Sequence, residues 1–222
     1  MRAASVLLIV IVIVIGCSSR PPCDEPTPLP LGDIALVTSR AEPANAIYRH
    51  LVTFEMGPVS ETLVGYMILR APDALRIYGM TETGQKAFDV ASLKGRVTRV
   101  YRAPFLKDDR VLDIIIEAAE KVFLLRPRTT VGVARSEDGY TLAQDDLTWC
   151  WAGPRSDLRW LKGRKFSACF MDWSDEGGIE APRRVHFHSD EGPYPYDLRM
   201  KLLRVTPLGS PSSDETFAPP PG

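Results

Sequence analysis

A chain of 222 residues with 27 basic and 28 acidic side chains carries a formal charge of −1, so no global field draws it to nucleic acid or to an anionic bilayer. With the first 16 residues set aside, enough remains for one sizeable core or two very small ones. Prolines cluster at 21–30 and 207–221, so both ends read as tethers around the fold.

One cation, Arg2, precedes an unbroken apolar run from Val6 to Ile15, which ends at Gly16 and Cys17. A basic start, a short apolar core and small residues at its end are the pattern of a secretory signal. Ten apolar residues make about 15 Å of helix, short of the ~30 Å hydrocarbon core. The stretch Val14-Ile15-Gly16-Cys17 resembles the lipobox of bacterial lipoproteins. That resemblance implies a signal peptide over 1–16, cleavage before Cys17 and acylation of Cys17, palmitate being one such acyl group. By the same resemblance, Ser18 after the cysteine favours the outer membrane, periplasmic face, over the inner membrane. Residues 17–30 hold five prolines and no apolar periodicity, and so predict an extended linker.

The folded domain is expected over 31–206. Leu31 to Ala46 is irregular, and from Ile47 the apolar period becomes two. Tyr48, His50, Val52, Phe54 and Met56 then share one face of a strand, with Arg49, Thr53 and Glu55 on the other. Turns at Gly57-Pro58, Ala71-Pro72-Asp73, Thr83-Gly84 and Lys94-Gly95 separate further strands over Glu61–Arg70, Leu75–Met80, Lys86–Leu93 and Arg96–Arg102. This is the spacing of an antiparallel meander. The spacing over Lys107–Leu125 predicts one amphipathic helix, capped by Asp108 or Asp109 and stopped by Pro127, with Val111, Ile114, Ile115, Ala118, Val122 and Leu125 on its apolar face. Strands resume at Thr129–Arg135, Tyr140–Ala143, Asp146–Ala152, Lys165–Trp173, Arg183–Ser189 and Tyr196–Val205. A polar, proline-rich tail over 207–222 follows.

With Cys17 assigned to lipid, Cys23, Cys150 and Cys169 remain in an oxidising compartment. The pattern allows a Cys150–Cys169 disulfide across a hairpin, with Trp149 facing Phe170 and Trp151 facing Ala168. Directly opposed strand cysteines, however, often have awkward bridge geometry.

The order of lipobox, linker, curved meander, one inserted helix, more strands and a short tail is similar to the LolA/LolB superfamily of lipoprotein carriers, particularly its lipobox-bearing relatives of unassigned function. The similarity is carried by LVGYMILRAPDALRIYGMTETGQKAFDV (Leu63–Val90) and YDLRMKLLRV (Tyr196–Val205). It implies a mainly β (α+β) fold, an unclosed antiparallel half-barrel covered by an amphipathic helix, around a hydrophobic cavity. It also implies an exposed apolar residue on a strand-joining loop that contacts the membrane, for which Met80 is the nearest position. An acyl-binding cavity is then expected from Tyr66, Ile68, Ile77, Phe88, Ile114, Ile115, Val122, Trp149 and Phe170, although each suits a packed core equally well.

Catalytic and metal-binding patterns are sparse. His186 and His188 project from one strand face, as two zinc ligands could, but no third ligand sits nearby in sequence and surface histidines are the simpler reading. Asp108-Asp109 and Asp145-Asp146 read as a helix cap and a strand entry. Neither a nucleophile elbow nor a phosphate loop occurs. The expectation is a non-enzyme without cofactor or metal. Its partners would be the membrane through the lipid anchor, acyl chains of lipid or lipoprotein, or other envelope proteins. Two functions of different classes fit: an acyl-chain carrier, or a structural accessory lipoprotein using the fold as a partner-binding module.

Overall fold

A computed structural model describes residues 27–28, 45–106, 110–128, 132–136, 139–152, 157–191 and 194–208. The expected signal, Cys17, the linker cysteine Cys23, the Asp108–Asp109 cap and the tail beyond residue 208 lie outside the described residues.

The strands are β1 (Thr27–Pro28), β2 (Ala46–Met56), β3 (Val59–Arg70), β4 (Ala74–Met80), β5 (Lys86–Leu93) and β6 (Arg96–Arg102). After the helix come β7 (Ala134–Ser136), β8 (Gly139–Gln144), β9 (Leu147–Ala152), β10 (Asp157–Lys162), β11 (Phe166–Asp175), β12 (Glu180–Ser189) and β13 (Tyr196–Pro207). All pair antiparallel in one sheet of order β1-β7-β8-β9-β10-β11-β12-β13-β2-β3-β4-β5-β6, which is not closed into a barrel. The hairpin turns follow local chemistry. At the β5–β6 turn, Lys94 (φ 52°) and Gly95 (φ 75°) both take positive φ, as a tight hairpin of the right twist requires.

Sheet order explains the helix. Strand β6 lies at one edge and β7 next to the other, so the segment joining them must travel across the sheet. That segment contains α1 (Arg110–Ala119), continued by a π-helical turn over Glu120–Leu124 in which Leu125 N–H donates to Glu120 O at 2.9 Å. Its fully buried residues are Leu112, Ile116, Ala118, Ala119, Val122 and Phe123, while Ile114 and Ile115 are half-buried. The buried stripe keeps Ala118 and Val122 of the expected face but is turned from Val111, Ile114 and Ile115 toward Leu112, Ile116 and Ala119. Ser92 Oγ donates to Glu120, and Lys121 pairs with Glu191, so the π-turn is tied to β5 on one side and to the β12–β13 connection on the other. Single-turn π segments concentrate at functional sites.

The expected Cys150–Cys169 bridge is not formed. Cys150 is disulfide-bonded, whereas Cys169 keeps a reduced thiol. Strand β10, absent from the sequence reading, lies between them: Trp160 is in register with Cys150 on one side and with Cys169 on the other. Two strand spacings separate the cysteines by roughly 10 Å, beyond the ~7 Å Cα limit of a disulfide. The same inserted strand places Leu161 between Trp149 and Ala168, displacing the expected aromatic pairings. Thiol counting should find Cys169 alkylated in denatured, unreduced protein and Cys150 alkylated only after reduction. Equal labelling of both without reductant would contradict this.

Candidate functional site

Period two on β2 puts Tyr48, His50, Val52, Phe54 and Met56 on one face, as expected, and in the fold that face meets the helical segment. Strand β3 is apolar on both faces, so its orientation follows from register instead. His50 pairs with Gly65, which places Leu63, Gly65, Met67 and Leu69 inward. Tyr66 and Ile68 then fall on the outer face, where the Tyr66 ring stacks on Tyr78 at 4.7 Å and carries Arg49 above it.

Between this sheet and the helix lies an almost wholly apolar cavity of about 70 Å³. Its wall comes from β2 (His50, Val52, Phe54), β3 (Leu63, Gly65, Tyr66, Met67), β4 (Ile77), β5 (Phe88) and β13 (Leu198, Met200). Ile115, Ala119 and Phe123 close it from the helix side. Phe54, Leu63, Phe88 and Ile115 also line a larger open groove of about 770 Å³, so the two spaces share a wall. The groove continues past Met56, Thr81, Glu82, Thr83 and Val111 to Val59 and Phe105, which are 43% and 48% exposed.

From Phe54 to His50 is four strand residues, about 13 Å. From Ile115 to Phe123 is eight helical residues, about 12 Å. The two walls therefore define a channel with Phe54 and Ile115 toward the groove. At the other end, Tyr48, His50 and Phe123 are each under 10% exposed.

His50 is the polar exception. It stacks on Tyr48 (ring centroids 6.1 Å) and meets Phe123 at 5.9 Å, and burial pushes its imidazole from 6.5 down to about 4. The side chain is thus neutral at ordinary pH.

Two glycines leave room. A Cβ on Gly65 would stand 3.3 Å from Val52 Cγ2, and one on Gly79 would stand 2.4 Å from Phe88 Cε1. The Phe88 ring lies over the bare backbone of Gly79 and is itself only 4% exposed, so a methyl there pushes it toward the cavity. Gly79→Ala should cost about 1–3 kcal/mol, as overpacking does. Chemical denaturation measures that cost, and a midpoint unchanged from wild type would contradict the packing.

Of the nine residues expected at the cavity, Tyr66, Ile77, Phe88 and Ile115 border it, Tyr66 with its ring on the far face. Ile68 is on the outer face, Ile114 on the flank of the helix, and Val122 within the core. Trp149 on β9 and Phe170 on β11 are buried on strands that supply none of the cavity wall. The sequence pattern, which puts Met200 among the inward apolar positions, does not single out His50 or Phe123 for the cavity, although it groups His50 with Tyr48, Val52 and Phe54 on one face of β2.

Met80, the expected membrane-contact residue, is half-buried at the end of β4, paired with Val64 and Lys86. The exposed apolar residues at the groove are Val59 and Phe105 instead. On the outer face, His186 Nε2 and His188 Nδ1 both contact Asp197 Oδ1, at 2.7 and 3.2 Å, and His188 Nε2 contacts Asp190 at 3.2 Å. Asp146 pairs with Arg164 at 2.9 Å at the surface. Also outside the cavity, Asp89 is 2% exposed and receives hydrogen bonds from Arg76 and Lys86. Burial raises its carboxyl, but those two cations outweigh burial and hold it below the usual carboxylate range.

No family model matches the chain, and no curated protein is similar to it in sequence. Solved structures do match. The LolA superfamily protein NE2245 from Nitrosomonas europaea superposes with a TM-score of 0.53 at 7% identity, over 86% of this chain and 98% of that one. A domain assigned to outer membrane lipoprotein sorting, from Vibrio parahaemolyticus, gives 0.47 at 7% identity over 82% and 94%. A DUF1329 family protein from Desulfovibrio piger gives 0.43 at 8% over 84% and 95%. An open antiparallel sheet crossed by one helix, matching NE2245 over nearly its whole length, is the LolA-like fold.

Proposed function

We propose that this chain is a non-enzymatic lipoprotein of the bacterial envelope that holds acyl chains between its sheet and its helix. The observation that carries the reading is the apolar cavity sharing a wall with an open apolar groove, with Ile115 where the two meet. The cavity takes an apolar chain because nearly all of its wall is hydrocarbon, and the groove, though bordered by Glu61, Glu82 and three threonines, is mainly apolar; burial of each CH₂ contributes about 0.8 kcal/mol. The inner space accommodates the end of a single chain, and the groove accommodates the rest. Likeness of fold to a LolA superfamily protein supports the reading.

In this proposal Cys17 carries the acyl anchor, the residues between Cys17 and β1 lead from the outer membrane to the domain, and the domain hangs in the periplasm. More than one buried chain is needed for durable attachment. The exposed Val59 and Phe105 at the groove would be the first residues to meet a membrane or a cargo chain. The test is titration with a fluorescent fatty-acyl probe, with metabolic acyl labelling of Cys17→Ser beside the wild type. Saturable binding and loss of label in the variant are expected. Absence of any acyl binding would replace the carrier by an accessory module that uses its outer surface.

A further inference from the structure

His50 is the one hydrogen-bonding side chain turned into the cavity among the described residues. It is 5% exposed, its ring lies against those of Tyr48 and Phe123, and no hydrogen bond joins its side chain to another described residue. A neutral imidazole offers one N–H donor and one nitrogen acceptor. Buried polar side chains are nearly always hydrogen-bonded, and an exception calls for something that binds there. Water is a poor candidate, since an ordered buried water needs two to four polar partners and this wall offers His50 alone. A ligand oxygen that brings its own apolar remainder satisfies both the imidazole and the hydrocarbon wall.

Position gives the orientation. His50 lies about 13 Å along β2 from Phe54, the residue shared with the groove, so a polar group that reaches it enters before the chain that follows. Only a small head fits an inner space of about 70 Å³. No charged side chain lines that space, so a carboxylate would be buried there without a counter-ion.

We propose that the cavity takes a single-chain amphiphile head-first, with a small uncharged oxygen group, hydroxyl or carbonyl, hydrogen-bonded to His50 and the chain running along the helix into the groove. The proposal rests on the acyl-binding reading above and sharpens it. Diacyl lipids and acylated polypeptides, whose heads are too large for the inner end, enter only tail-first and gain nothing from the imidazole.

The test uses the full-length chain carrying Cys17→Ser, with displacement of N-phenylnaphthylamine by 1-decanol and by decyl maltoside, which share a chain but differ in head size. In His50→Phe, which keeps the ring contacts, 1-decanol should bind about tenfold more weakly, the loss of one hydrogen bond. Decyl maltoside should bind as before or more tightly. His50→Gln, which restores a donor and an acceptor, should recover part of the 1-decanol affinity, and 1-decanol should shift the His50 imidazole NMR signals. Unchanged 1-decanol affinity in His50→Phe, or equal weakening of both amphiphiles, would overturn the head-first proposal while leaving acyl binding intact. Failure of the naphthylamine and of both amphiphiles to bind would overturn the acyl reading itself, and this proposal with it.

Discussion

Lowering the pH from 6.5 to about 4 should remove roughly 3 kcal/mol of folding stability through His50 alone, because burial pushes its imidazole from 6.5 down to about 4. In that window the unfolded chain takes up a proton on His50 and the folded chain does not. The contribution is therefore whole above pH 6.5 and is lost as pH falls toward 4. Below that point both states are protonated and this group adds no further slope. The cause is desolvation: Tyr48, Phe123 and the cavity wall leave the imidazolium without water. Urea unfolding of wild type and His50→Phe across pH 3.5–7.5 isolates the effect, because Asp89 and the other carboxylates are common to both proteins. His50→Phe should lose the extra slope, and parallel curves for the two proteins would contradict the assignment.

Ile115→Trp should abolish acyl-probe binding, with affinity down by well over tenfold, while the protein still folds. Ile115 is half-buried and stands where the cavity meets the groove, so an indole there fills the passage and can extend into the open side. Ile115→Ala is the counterpart. It widens the passage and keeps binding, at a stability cost near the low end of the ~2–5 kcal/mol seen for buried isoleucine truncation. Titration of both variants with the same probe, alongside their melting curves, separates a passage from an ordinary core. In an ordinary core, Trp and Ala would both act on stability and neither on binding.

Period-two and period-3.6 patterns were enough to read much of this fold from the chain. On β2, alternation of Tyr48, His50, Val52, Phe54 and Met56 with charged and hydroxyl residues identified the inner face. On β12, His186 and His188 fall together on one outer face in the same way, and the helix after residue 110 was legible from its apolar spacing. These elements each have one wet face and one dry face, so the pattern is written locally. On β3 both faces are apolar, and alternation is silent. There the face was decided by the His50–Gly65 register, which is why Tyr66 and Ile68 were expected inside while Gly65 and Met67 are found there.

Strand order lay beyond any local pattern. Strand β10 is six residues with charges at Asp157, Arg159 and Lys162, and without it Cys150 and Cys169 read as neighbours. Trp149 and Phe170 are apolar and inward as their strands suggested, but they sit on β9 and β11, away from the strands that supply the cavity wall. By itself, then, the sequence determined a mainly antiparallel chain with one amphipathic helix, because burial periodicity is a property of neighbouring residues. Only the tertiary structure decided which residues meet at the cavity. That depends on β13 pairing with β2 and on a helix carried from one edge of the sheet to the other, contacts between segments up to about 160 residues apart.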